Sequence, residues 1–148
     1  MKRKGKWIAG AVLLLAMAAV VLLYQRDRSA RYPLDFTRDE LASATVGANY
    51  TETLTLTEPE ELDALYEALE RMRVVGEAER DEGALMGAQA YILKIELKDG
   101  GGRTFSYEQR DAGGSGVLSR GGHPDCQVRR LDMRGLWQSI TGEYPGHA

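Results

Sequence analysis

The sequence predicts an α+β fold in which an N-terminal transmembrane helix precedes a small antiparallel sheet of hairpins, packed by one or two helices. Residues 7–24 form an unbroken apolar run. Three pairs of short segments further along flank glycine-containing turns, as β-hairpins do, and residues 50–56 and 91–98 alternate apolar and polar residues. Residues 57–73 and 132–141 instead repeat their apolar residues every three or four positions, as helices do. Because hairpins dominate, we expect an antiparallel sheet covered by helices on one face.

The apolar run has the length of a membrane-spanning helix. Its 18 residues, rising about 1.5 Å each, would span roughly 27 Å, which is close to the hydrocarbon thickness of a bilayer. Trp7 and Tyr24 stand at its ends, where amphipathic rings prefer the headgroup region. Four basic residues precede the run: Lys2, Arg3, Lys4 and Lys6. We therefore expect residues 7–24 to be a signal anchor, with residues 1–6 as a cytoplasmic tail and the C-terminal domain outside the cytoplasm.

A cleavable secretory signal is the alternative interpretation of the same segment. Ala16 and Ala18 have the small-residue spacing of a cleavage site, but the apolar residues 20–23 follow where a polar region should begin. The anchor is therefore favoured. A lipoprotein signal is excluded, since acylation needs a cysteine directly after the apolar core and the single cysteine of the chain is Cys126.

Charge divides the chain into two unlike parts. Residues 1–31 contain seven Lys and Arg against one acid, whereas the remaining 117 residues contain 12 against 21. An acidic domain repels nucleic acid and anionic lipid headgroups, so we expect no binding to nucleic acid. The remaining residues suffice for one domain with a single core, and one cysteine permits no internal disulfide.

The chain after the anchor is expected to form a stalk over residues 25–33, an extracytoplasmic α+β domain over residues 34–142 and a C-terminal tail over residues 143–148. The first hairpin should join residues 41–46 to residues 50–56 through Gly47-Ala48-Asn49. Its second strand alternates, and we expect it to expose the threonines Thr51, Thr53 and Thr55 while its other face carries Tyr50, Glu52, Leu54 and Leu56.

The first helix of the domain has the clearest pattern. Thr57-Glu58-Pro59-Glu60 has the form of a capping box with proline in the first turn. A single apolar stripe follows, centred on Leu65 and Leu69, and predicts a helix to about Arg73. Residues 77–88 are charged, contain glycine and lack a period, so we expect a mobile connection there.

Two further hairpins and a last helix complete the predicted domain. Residues 91–98 alternate and should pair with residues 103–109 across Asp99-Gly100-Gly101-Gly102. Residues 117–119 should pair with residues 127–131. Asp132 is expected to cap a final helix that ends at Gly142, and the buried side of this helix should carry Leu136, Trp137 and Ile140.

Several of these segments resemble a known family. They are Tyr32 to Phe36, Thr57 to Leu62, Leu65 to Leu69, Lys98-Asp99-Gly100 and Leu136-Trp137. Over about residues 32–141 the chain resembles a domain of unknown function found in small extracytoplasmic lipoproteins and single-pass membrane proteins of Gram-positive bacteria. Many members carry a lipid-modified cysteine where this chain has a membrane span. The resemblance implies the fold and a cell-envelope location, and it brings no known activity.

One segment combines residue types that can carry chemistry. His123-Pro124-Asp125-Cys126 contains good zinc ligands, but His147 is the only other histidine and there is no second cysteine. As a nucleophile and base, Cys126 and His123 lack an orienting partner with sequence support. We therefore expect a turn with a half-buried thiol that carries no chemistry.

The remaining candidates also favour structural roles. Ser115 lacks the glycine spacing of a nucleophile elbow. The aromatic residues Tyr91, Phe105, Tyr107 and Trp137 fall at core positions. The acids of the first helix lie along one element instead of converging from a loop as calcium ligands do, and they are Glu58, Glu60, Glu61, Asp63, Glu67 and Glu70. The sequence thus predicts no catalytic, metal or cofactor-binding residues and no cofactor.

Two classes of function stay open. The favoured class is a non-enzymatic, membrane-tethered binding or accessory module of the bacterial cell envelope. It would be anchored in the membrane by residues 7–24 and would bind an envelope protein, a peptide or a wall component through a sheet face or a hairpin edge. The alternative is an envelope enzyme or enzyme inhibitor whose site is assembled from scattered residues. A deep cavity with convergent polar side chains would favour the second class.

Overall fold

The computed structural model describes residues 2–29, 31–78 and 87–146, and the chain divides into two compact units, Met1–Arg31 and Tyr32–Ala148. The first unit is helix α1 (Lys2–Ser29). Its stretch Lys6–Tyr24 has 19 residues, a mean hydropathy of 2.5 and no buried residue, so it is long and apolar enough to cross a membrane. A signal sequence near an N-terminus has the same properties. Helix α1 continues to Ser29 and so occupies five residues that we assigned to a stalk.

The second unit has an α+β fold, as predicted. Its described residues include seven strands of one sheet in which all pairs are antiparallel, with the order β2-β1-β4-β5-β6-β7-β3. A short 3₁₀ helix (Arg38–Glu40) precedes β1. The strands are β1 (Leu41–Ala48), β2 (Glu52–Leu56), β3 (Arg73–Glu77), β4 (Gln89–Leu97), β5 (Gly102–Gln109), β6 (Gly116–Arg120) and β7 (Cys126–Arg129). The helices of this unit are α2 (Pro59–Arg71), between β2 and β3, and α3 (Met133–Thr141), after β7.

One face of the sheet forms the hydrophobic core with the two helices. Strand β4 alternates as predicted, burying Tyr91, Leu93, Ile95 and Leu97. Helix α2 buries Leu62, Leu65 and Leu69 in the same core, and α3 buries Met133 and Trp137. Asp132 caps α3 as predicted, accepting a hydrogen bond from the backbone N of Gly135, and Gly142 ends the helix with a left-handed φ of 79°.

Strand β3 was not predicted. We expected α2 to run to Arg73 and the connection to begin at Glu77, whereas α2 ends at Arg71 and Arg73–Glu77 pair with β7. The strand is short and lies at the sheet edge, and its register shifts between Val74 and Gly76. A bulge in an edge strand breaks the alternation on which a strand prediction depends. Of the connection predicted to be mobile, residues 79–86 lie outside the described residues.

The start of α2 is displaced from the predicted one. Glu58 is the N-cap and Pro59 occupies the first turn, so the predicted capping box at Thr57 and Glu60 is wrong by one residue. The carboxylate of Glu61 instead accepts hydrogen bonds from the backbone N–H groups of Thr57 and Glu58, at 3.3 and 3.4 Å.

The domain is longer at both ends than predicted. The ring of Tyr32 packs edge-on against Phe105 with centroids 6.2 Å apart, so the domain begins before residue 34. Pro145 is buried and the backbone N of Gly146 donates to the Glu52 carboxylate at 3.0 Å. At least part of the predicted tail of residues 143–148 is therefore held against the domain.

Candidate functional site

The sheet face opposite the helices is open and rich in hydroxyl groups. Directly paired residues share a face of a sheet, so the register places two rows of neighbours across the strands. One row runs through Thr53, Gly47, Ile92 and Ser106, and the next through Thr55, Thr45, Lys94 and Thr104. We call this surface the open face. The prediction that Thr53 and Thr55 are exposed agrees with their positions here.

The open face contains a depression of about 290 Å³. Its lining residues are Thr45, Gly47, Tyr50, Glu52, Thr53, Ile92 and Lys94. Gly47 lies between its cross-strand neighbours Thr53 and Ile92, and it provides no side chain to fill the space between them. A Cβ added at Gly47 would meet only ordinary contacts, 3.8 Å from the carbonyl oxygens of Glu52 and Ile92. We call this surface the Gly47 depression, because the missing side chain at Gly47 leaves the space between Thr53 and Ile92 unfilled.

Tyr50 stands at the rim of the Gly47 depression in an unfavourable backbone conformation. The β1–β2 turn uses Asn49 and Tyr50 at φ values of 50° and 61°, whereas the predicted turn residues Gly47 and Ala48 continue strand β1. A left-handed conformation costs a bulky residue roughly 1 kcal/mol or more, and glycine adopts it freely. Tyr50 is also 81 % exposed, so burial does not offset this strain. The tight turn closed by the Thr51 N–H and the Ala48 carbonyl requires positive φ at both central residues, where glycine, asparagine or aspartate is usual, so this turn presents an exposed tyrosine in place of a small residue.

The polar side chains of the Gly47 depression are available to a ligand. Within the described parts of the chain, Thr45, Thr53 and Lys94 make no side-chain hydrogen bond or ion pair. The Glu52 carboxylate differs, because it accepts the bond from Gly146 described above. The depression thus offers the hydroxyl groups of Thr45, Thr53 and Tyr50, each a donor and an acceptor, and one ammonium group.

A second concave surface lies at the β3–β7 edge of the sheet. This edge groove has a volume of about 410 Å³. It is lined by Tyr32, Pro33, Val74, Gly76, Glu77, Arg120, His123, Pro124, Asp125 and Cys126. The groove thus includes the segment that the sequence singled out for its zinc-ligand and nucleophile residue types.

The Arg120 side chain in the edge groove makes its contacts within the domain. Its guanidinium donates to the Asp35 carboxylate at 2.8 Å, and Arg103 donates to the same oxygen at 2.8 Å. It also lies 5.6 Å from the centroid of the Phe105 ring. Burial would raise the pKa of Asp35, but the hydrogen bonds from Arg120 and Arg103 outweigh it and lower the pKa. Arg120 therefore holds Asp35 in place.

The environment of Cys126 is unlike that of a reactive thiol. Its Sγ is half-buried and lies 3.8 Å from the carbonyl oxygen of Leu118. Burial, and then the charge of Asp125, raise the pKa of the thiol, whereas nucleophilic and metal-binding thiols need a lowered pKa. His123 is exposed, with Nδ1 3.3 Å from the Gly121 carbonyl oxygen. In the described ranges no group of three His, Cys, Asp or Glu side chains could hold a metal ion, and His147 lies outside those ranges.

Replacing Cys126 with serine and His123 with glutamine is expected to leave metal content unchanged. The raised pKa of the thiol opposes both zinc binding and acyl transfer, so the cysteine replacement removes no working group. His123 belongs to no group of three His, Cys, Asp or Glu side chains in the described ranges that could hold a metal ion. Elemental analysis of the purified wild-type and double-variant proteins checks the metal content, and thermal unfolding checks the fold. Stoichiometric zinc in the wild type that is lost in a folded double variant would show that the edge groove is a metal site.

Sequence reasoning missed a buried polar cluster beside α3. Gln109 is 4 % exposed, and its Nε2 donates to the Asp111 carbonyl and the Asp132 carboxylate, each at 2.8 Å. Its Oε1 accepts from the backbone N of Arg134 at 3.1 Å. Every polar atom of the Gln109 amide thus has a partner, which is the pattern of a structural residue. In the alternation of β5, Gln109 falls on the same inward-facing side as Phe105 and Tyr107, and this position could have predicted its burial.

The two buried tyrosines of the core are structural as well. The Tyr107 hydroxyl donates to the Gly114 carbonyl at 2.9 Å, and the Tyr91 hydroxyl donates to the Gln89 side chain at 2.9 Å. Burial raises the pKa of Tyr91 to about 12 and also raises the pKa of Tyr107. Both hydroxyls therefore stay protonated near neutral pH, in agreement with the expected core role.

The motifs behind the family resemblance have structural roles in the domain. The Asp99 carboxylate accepts from the backbone N of Gly101 at 2.7 Å in the β4–β5 turn, and Trp137 is 7 % exposed in the core. The membership of the chain in that family stays a prediction. Among known proteins, no family model, no curated protein and no solved structure matches this chain.

Proposed function

We propose that this protein is a single-pass membrane protein that presents a binding module outside the cytoplasm, in the cell envelope. The Gly47 depression is the observation that carries the binding role. Its free groups are hydroxyls of Thr45 and Thr53, one ammonium of Lys94 and an exposed aromatic ring. Such groups hold and orient a ligand, whereas general acid–base chemistry needs titratable groups that are tuned near the working pH.

The membrane tether is supported by helix α1. Its stretch Lys6–Tyr24 could span a bilayer, and a basic tail precedes it. Positive residues next to a span favour the cytoplasmic side, so residues 1–6 would stay inside and the domain from Tyr32 onward would lie outside. The acidic character of residues 32–148 supports a domain that stands off an anionic lipid surface.

The mature protein is expected to remain in the membrane fraction after carbonate washing. An uncleaved span resists extraction, because transferring its apolar side chains into water is strongly unfavourable. N-terminal sequencing of the washed pellet should then read the intact N-terminus. A deletion of residues 7–24 is the control, and its product should appear in the soluble fraction. A soluble wild-type product that begins near Ala19 would show that the segment is a cleaved signal.

The alternative function is an envelope enzyme or inhibitor that works through the edge groove. His123, Asp125 and Cys126 all line that groove, which is the observation in its favour. The raised pKa of the Cys126 thiol opposes it, because attack requires the thiolate. The binding module is therefore the better supported function.

A further inference from the structure

We propose that the Gly47 depression binds an uncharged oligosaccharide, with the ring of Tyr50 stacking on a sugar face. This inference deepens the proposed function and rests on it, because it names the class of ligand for the same surface.

The backbone under the depression excludes recognition by strand addition. Gly47 belongs to β1, which pairs with β2 on one side and β4 on the other, and Ile92 belongs to β4, which pairs with β1 and β5. Interior strands have no free row of N–H and C=O groups, and an extended peptide needs such a row to add to a sheet. Strand β2, which also lines the depression, is the edge strand of the sheet, and a peptide added to its free side would lie beside the depression. A ligand that lies over Gly47 and Ile92 must therefore be recognised through side chains.

The free side chains match a ligand that carries many hydroxyl groups. Thr45 and Thr53 can each donate and accept hydrogen bonds, as sugar hydroxyls also do. Lys94 adds further donors, and its stem lies beside Thr45 in the register. The lining, all of it within the described residues, contains one carboxylate, Glu52, and one ammonium, Lys94, so its formal charges cancel and favour an uncharged ligand over an ion.

Tyr50 supplies the apolar part of such recognition. One face of a sugar ring is formed by C–H groups, and an exposed aromatic ring packs against that face. Glycine would be the favourable residue at φ 61°, yet this position holds a tyrosine that is 81 % exposed. The volume of about 290 Å³ is at the lower end of ligand sites, which suits a short saccharide segment.

The test uses the full-length protein in lipid nanodiscs, titrated calorimetrically with chitotetraose and cellotetraose. We expect saturable binding of at least one of these two tetrasaccharides. Tyr50→Gly should weaken that binding at least tenfold while the thermal unfolding midpoint does not fall, because glycine relieves the left-handed strain. Gly47→Ala should weaken it with the fold intact, since a Cβ at this position meets only ordinary contacts. Gly47→Val, with its fold checked by thermal unfolding, should weaken it further.

Thr104→Ala is the matched control. Thr104 lies on the open face in the row of Thr45 and Lys94 but does not line the depression, so its variant should bind like the wild type. Absence of saturable binding to both tetrasaccharides overturns the proposal. Wild-type affinity in Tyr50→Gly, or in Gly47→Val, overturns it equally.

A second measurement separates this proposal from the proposed function. A photoreactive phenylalanine analogue at position 50 reports what meets the depression in intact envelopes. Crosslinking to a protein or peptide, with no tetrasaccharide binding, would end the saccharide proposal and leave the binding module standing. If neither crosslinking nor tetrasaccharide binding occurs, both the saccharide proposal and a binding role for this depression fail.

Discussion

Replacing Gly116 with alanine is expected to destabilise the folded domain by about 3 kcal/mol, near the upper end for overpacking a well-packed interior. A Cβ at Gly116 would lie 2.1 Å from the carbonyl oxygen of Glu108 and 2.8 Å from Cε2 of Tyr107. Neither neighbour can move aside easily. Glu108 belongs to strand β5, to which β6 is paired, and Tyr107 is fully buried with its hydroxyl bonded to Gly114. Relief would require the two strands to separate.

Urea unfolding of the isolated domain, residues 32–148, measures this cost. Gly121→Ala is the control, because a Cβ at Gly121 meets nothing within 4 Å and the residue does not have a positive φ. That variant should stay within about 0.5 kcal/mol of the wild type, as exposed substitutions usually do. Equal stability of the Gly116 and Gly121 variants would contradict the close approach of β5 and β6.

Elements with long, regular patterns were predictable from the sequence. Strand β4 alternates from Tyr91 to Leu97 and α2 keeps one apolar stripe over its 13 residues, so both were found. Strand β3 has five residues and a bulge, and it is stabilised by its pairing with β7, which no local pattern reports. Tertiary pairing decided its conformation.

The candidate site could not be predicted, because its residues come from three strands. The depression needs Thr53 of β2, Gly47 of β1 and Ile92 of β4 in one row, and that row is set by the register between strands. A register is fixed by which faces are buried, and a shift of one residue would exchange the faces. The sequence assigned Gly47 to a turn and placed Tyr50 in a strand. In the structure Gly47 lies in strand β1 and Tyr50 lies in the turn, and these two placements form the depression.

The close packing at Gly116 could not be predicted from the sequence either. Gly116 follows Gly113 and Gly114 in the chain and would be assigned to the loop that they open. In the folded domain it lies in β6, where the partner strand leaves no space for a Cβ. Whether two backbones approach closely depends on the strand that pairs with the glycine. Composition alone therefore cannot distinguish Gly116 from an exposed turn glycine such as Gly121.

Truncating Leu65 to alanine is expected to cost about 2 to 5 kcal/mol, the usual range for a buried leucine. Leu65 is 0 % exposed and Leu69 is 1 % exposed, and both lie in the cluster that joins α2 to the sheet. The lost methyl groups would leave a cavity, because strand β1 and helix α2 are held by many other core residues and cannot collapse onto it fully. The predicted centre of the helix stripe is therefore the centre of the packing between α2 and the sheet.

Urea unfolding of the same isolated domain measures this cost against Glu60→Ala, an exposed position in the first turn of α2. The control should change stability by less than about 0.5 kcal/mol.

Leu65 and Gly116 lie on different elements, α2 and β6, so their two costs should add in the double variant if they share no neighbours. A Leu65 cost as small as that of Glu60 would mean that the apolar stripe of α2 does not pack on the sheet. The α+β arrangement, and with it the assignment of the opposite face as the open one, would then have to be redrawn.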